Sequence, residues 1–235
     1  MKKKIIIIII LIIAILAGII GYSVYQDLKQ EDNLKIELDD ISNMINYEDM
    51  SNLDEINKRL DQTVTKKDYA VVEKAFKQYM KDFLKNTHEI TEIFDDERIA
   101  KALSAENYKN DGPDFKETKE LLKNYSDKLA ECTSKYNEFL TEEKIMSYID
   151  DKNLDDYYIE LYRNELVGDI EKEKADKTVE NSINEIIDVM NNSEDIIDFL
   201  VKNKGKWEID GEDIVFDNQK LINEYQELIE KICYW

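Results

Sequence analysis

Between Asp27 and Trp235 the chain meets chain-breaking residues at only five positions: Gly112, Pro113, Gly168, Gly205 and Gly211. Proline removes a backbone donor and glycine raises the entropy cost of a helix, so their scarcity leaves few points at which a helix must stop. The same stretch is rich in Glu, Lys, Leu and Ile, and its apolar residues recur every three or four positions. That periodicity gives a helix one buried stripe, and the fold class it predicts is all-α, a helical bundle.

Two long helices carry the clearest pattern. From Lys66 to about Phe94, the residues Tyr69, Val72, Phe76, Tyr79, Phe83, Ile90 and Ile93 keep a three-four spacing, interrupted where Asn86 takes an apolar slot. From Phe115, the residues Leu122, Tyr125, Leu129, Cys132, Tyr136 and Phe139 hold a heptad seam, which requires facing helices. NDGPD at Asn110–Asp114 reads as the turn between them, with Asp114 capping the second helix and Glu117 completing a capping box. Ser51 is the expected cap of a shorter helix through Leu53, Ile56, Leu60 and Val64, and Thr141, Glu142 and Glu143 read as a fresh helix start. Gly168 is a candidate terminator, Ser193 a restart and Asp217 the cap of the last helix. The one departure from helix is KWEIDGEDIVF at Lys206–Phe216, where alternating apolar residues flank Asp210-Gly211 and predict a small β-hairpin.

The N-terminus sets the address. Lys2, Lys3 and Lys4 precede an unbroken apolar run from Ile5 to Ile20 and a weaker tail to Tyr25. As a helix, residues 5–25 reach roughly 31 Å, the thickness of a bilayer's hydrocarbon core. The expected organisation is a cytoplasmic stub at 1–4, a signal-anchor helix at 5–25, a stalk helix at 26–50 and a helical domain at 51–235 that contains the hairpin at 206–216. Positive charge before the span places the domain on the extracytoplasmic side. The alternative is a secreted protein whose leader is removed, against which the length of the apolar run counts. Ala14, Ala17, Gly18 and Gly21 form a stripe of small residues, a candidate face for membrane-helix packing and homo-oligomerisation.

The net charge of −21 becomes −24 once the three lysines before the span are set aside, since residues 5–26 carry none. Such acidity excludes a phosphate-backbone partner, so no nucleic acid is expected, and basic protein surfaces are favoured. Cys132 and Cys233 are the only cysteines and form one candidate disulfide in an oxidising location. One histidine, His88, and two cysteines are too few for a structural zinc site. Asp151, Asn153 and Asp155 have the alternate spacing of a calcium loop, but Asp156 stands where glycine is needed and Tyr162 where the bidentate glutamate belongs. Neither metal nor cofactor is expected, and no nucleophile elbow or phosphate loop marks a catalytic site.

Tyr157, Tyr158 and Tyr162 concentrate aromatic surface in an acidic neighbourhood, and together with Trp235 they are the candidate partner-binding residues. In composition the chain resembles the Ile- and Lys-rich, membrane-tethered helical proteins of bacterial envelopes. The function expected is non-catalytic: a membrane-anchored interaction or scaffolding component that binds an envelope protein or wall component. A sensor ectodomain signalling laterally through a partner's span is the first alternative, and a hydrolase acting on the cell wall the second.

Overall fold

A computed structural model describes residues 30–44, 52–149, 153–175 and 177–233. Ten helices and one hairpin occupy them: α1 Gln30–Met44, α2 Leu53–Leu60, α3 Asp68–Asp95, α4 Glu97–Lys101, α5 Ala105–Asn110, α6 Lys116–Phe139, α7 Glu142–Ser147, α8 Asp156–Ala175, α9 Thr178–Lys202, β1 Trp207–Asp210, β2 Asp213–Phe216 and α10 Gln219–Cys233. The molecule is mostly helical, with a two-stranded antiparallel hairpin near the C-terminus. Among the described residues no helix is long and apolar enough to cross a membrane, and the apolar run 5–25 lies outside them.

The described residues divide into two compact units, one within 1–91 and 132–182 and the other within 92–131 and 183–235. In the first, the stripe of α3 is buried as the spacing requires, from Tyr69 through Phe83. Phe83 packs on Tyr136 and Phe139 at ring-centroid distances of 5.9 and 5.5 Å, and Tyr79 packs edge-on against Phe139 at 5.9 Å. Asn86 does not interrupt the helix. Its buried amide donates to the Cys132 carbonyl at 3.1 Å, so the polar residue in the apolar slot bridges two helices. The segment expected as a stalk includes α1, whose Leu34, Leu38 and Ile41 are buried in this unit. Val64, expected on the buried face after α2, is instead exposed, because α2 ends at Leu60.

In the second unit the rings of Phe115, Tyr108 and Trp207 form a mutual cluster, with Phe115 at 5.5 Å from Tyr108 and 5.9 Å from Trp207 and those two 6.3 Å apart. The hairpin pairs Trp207 with Phe216 and Ile209 with Ile214, placing these residues on one face. Trp207 Nε1 donates to the Leu200 carbonyl at 2.8 Å, which docks β1 against the end of α9. Asp210 pairs with Asp213, leaving a two-residue turn whose first residue, Gly211, has φ +67°, the geometry that favours glycine there.

Several helix ends differ from the sequence expectation. Asp114 does not cap α6. Phe115 adopts a left-handed φ of +49°, which closes the turn so that the Asp111 carboxylate accepts from the Thr118 amide and hydroxyl, both at 2.7 Å. Asp114 instead accepts from Lys204 at 2.7 Å. Gly112 allows this turn, because a Cβ there would fall 2.2 Å from the Tyr108 carbonyl oxygen. Gly168 does not end its helix, which continues to Ala175. Ser193 does not restart one: its hydroxyl donates to the Val189 carbonyl at 2.8 Å, within an unbroken α9. Asn218, one residue beyond Asp217, caps α10 by accepting from the Leu221 amide at 3.1 Å. A helix does start at Thr141 as expected, and the Thr141 hydroxyl caps α7 by accepting from the Lys144 amide at 3.2 Å, while Ser51 lies outside the described residues.

Candidate functional site

The three tyrosines at the start of α8 do not share one surface. Tyr158 and Tyr162 lie one helical turn apart on the face turned toward α3. There Tyr158 meets Tyr69 edge-on at 5.1 Å and Tyr162 meets Phe76 at 4.9 Å. Tyr162 is fully buried, its hydroxyl donates to the Ile145 carbonyl at 3.0 Å, and burial pushes its phenol pKa up. It belongs to the core and is unavailable to a partner. Tyr157 precedes Tyr158 by one residue, about 100° around the helix, and is 44% exposed with its ring braced edge-on against Tyr158 at 5.2 Å. The exposed carboxylates of Asp155, Asp156 and Glu160 surround it in sequence.

Asp155 also answers the calcium-like spacing. Its carboxylate accepts from the Tyr157 amide at 3.0 Å and caps α8, while residues 150–152 of that loop lie outside the described residues. Among the described residues no group of three or more His, Cys, Asp or Glu is placed to hold a metal ion. Cys132 is buried with its thiol donating to Glu89 Oε2 at 3.9 Å. The expected bridge rests on the Cys233 side chain, which is outside what the structure describes, and Trp235 and the small-residue stripe of Ala14, Ala17, Gly18 and Gly21 lie outside the described residues.

Two polar constellations were not anticipated from sequence. In the first unit Lys77, 1% exposed, donates to Glu37 on α1 at 2.7 Å, to Glu73 at 2.8 Å and to the Gln62 carbonyl at 3.1 Å. Glu73 is fully buried. Burial opposes its ionisation, yet hydrogen bonds from Lys77, from Thr65 and from the Val64 amide outweigh that and hold its carboxyl below the usual value. Arg59 on α2 bridges Glu37 and Asp40 at 2.9 and 2.6 Å. The network ties α1, α2 and the following loop to α3. Every donor of the Lys77 ammonium is engaged by the fold, which leaves this lysine no free hydrogen for chemistry on a ligand.

In the second unit α4, α5 and the start of α6 line a cleft of about 230 Å³. Its walls carry Arg98, Lys101, Ser104, Glu106, Asn107, Asn110, Glu117, Thr118 and Leu121. Asn107 gives its amide hydrogens to the Ala102 carbonyl and the Thr118 hydroxyl, both at 2.8 Å, and Thr118 donates in turn to Asp111. Asp96 holds the Arg98 guanidinium through Nε at 3.0 Å and Nη2 at 2.5 Å, and Tyr125 donates to the same carboxylate at 2.6 Å. The Arg98 hydrogen bond, opposed by desolvation and aided by Tyr125, keeps the Asp96 carboxyl well below the ordinary carboxylate range. The short helices α4 and α5 have too few residues to show a period, so only the caps Asp96 and Ser104 signal them in sequence. No protein-family model, curated protein or solved structure matches the chain.

Proposed function

We propose that the chain is a non-catalytic interaction component of the cell envelope, tethered to the cytoplasmic membrane by residues 5–25 and presenting its acidic helical domain outside. The observation that carries the interaction reading is Tyr157. A large aromatic ring, braced by Tyr158 and framed by carboxylates, offers apolar contact area at little entropic cost. The net charge of −21 favours a partner with a basic surface, whose approach it accelerates at low salt. The apolar run and its preceding lysines support the address.

The test is photo-crosslinking in native membranes with a benzophenone side chain at position 157 and, separately, at 235. One dominant protein adduct at 157, diminished in high salt and by Asp155→Lys, is the expected result. Absence of any protein adduct from both positions overturns the interaction reading. Recovery of the chain in the soluble fraction with an N-terminus beyond residue 21 overturns the tether.

A further inference from the structure

The charges lining the cleft of the second unit are sorted by the element that supplies them. Arg98 and Lys101, three residues apart on α4, bring the cations, whereas Glu106 on α5 and Glu117 on α6 bring the carboxylates. A wall of one sign selects an ion of the other. A cleft with both signs on different elements and no net charge among its lining side chains favours a molecule that carries both.

Details of the bonding sharpen this. Asp96 and Tyr125 engage Nε and Nη2 of Arg98, so the guanidinium is oriented before any ligand arrives. Among the described residues no protein group takes its Nη1 hydrogens. Lys101 pairs with Glu97, an exposed partner one turn away, and also feels the charge of Glu106, contacts that a ligand's own charged groups can displace. Asn107 has spent both amide hydrogens on Ala102 and Thr118, so what it keeps for a ligand is its carbonyl oxygen, an acceptor. The volume of about 230 Å³ is below the roughly 300–1,000 Å³ of pockets for larger ligands.

We propose that this cleft binds a small zwitterion of amino-acid or dipeptide size. The ligand's carboxylate is taken by Arg98 and Lys101, its ammonium by Glu106 and Glu117, and an amide N–H by Asn107. The assignment rests on the second unit's own geometry and is independent of the membrane address and of the Tyr157 surface.

The experiment titrates the full chain in detergent micelles with alanylalanine, following backbone amide shifts of residues 97–121 by NMR. Two blocked probes accompany it: N-acetyl-alanylalanine, without the ammonium, and alanylalanine amide, without the carboxylate. Saturable shifts in this segment are expected for the zwitterion, with affinity falling at least about tenfold for either blocked form. Glu117→Gln should weaken the zwitterion and leave the N-acetyl form unchanged, and Lys101→Met should weaken the zwitterion and leave the amide form unchanged. Both side chains are exposed, so an undisturbed amide spectrum verifies the fold of each variant. Shifts that fail to saturate by tens of millimolar, or blocked probes that bind as tightly as the zwitterion, overturn the proposal.

Discussion

Lys77→Met is expected to destabilise the first unit by about 3–5 kcal/mol, because it leaves Glu73 and Glu37 as buried carboxylates without their shared cation. The check is urea unfolding combined with amide hydrogen exchange across α1–α3, and the variant should lose protection there first. A loss of less than about 1 kcal/mol would show that the three charges are better solvated than their burial implies. Acid should mimic the substitution. Glu73 ionises more readily in the folded chain than its ordinary value of 4.5, so the unfolded chain binds the proton more tightly. The stabilisation is therefore complete above pH 4.5 and is lost as the pH falls through the lower, folded value. Glu73→Gln should remove this part of the acid sensitivity while leaving that of the exposed carboxylates.

The second large effect is expected at Phe115. The ring is fully buried against both Tyr108 and the indole of Trp207, and Phe115→Ala should cost about 3–5 kcal/mol, with loss of near-ultraviolet circular dichroism from the aromatic cluster. Phe115→Gly loses the same ring but relieves a left-handed backbone. Glycine is thus expected to be about 0.5–1 kcal/mol less harmful than alanine, the reverse of the order within a regular helix. Equal or greater stability of the alanine variant in thermal unfolding would show that the positive φ carries no strain.

Long-range periodicity was the legible part of this fold. The stripes of α3 and α6 and the alternation around Asp210-Gly211 each repeat one physical constraint over many residues, so the helices and the hairpin were readable. Single hydrogen bonds were not. Asp111 and Asp114 are equally good caps by type, and only the backbone turn at Phe115 decides that Asp111 reaches the Thr118 amide. Ser193 satisfies its hydroxyl within its own helix, so a residue that often starts helices lies inside one. Glu73 and Lys77 stand four residues apart, a spacing shared by many ordinary surface pairs. The available clue was that they continue, toward the N-terminus, a second stripe through Met80 and Leu84, both buried. The tyrosine cluster was legible as aromatic but not as divided, since a single helical step separates core from surface. The cleft was illegible because it draws on three elements, two of them only five and six residues long.

The burial of Lys77 also bears on how this protein ages under chemical attack. Acylating or glycating reagents need an uncharged, accessible amine, and here the ammonium is enclosed by Glu37, Glu73 and the Gln62 carbonyl. Its modification must wait for α1 or the loop after α2 to lift away, and once acylated the side chain cannot return as a cation between two carboxylates. The rate at which position 77 acquires an adduct therefore records local opening of this corner of the unit, and each event is a ratchet that leaves it unlatched.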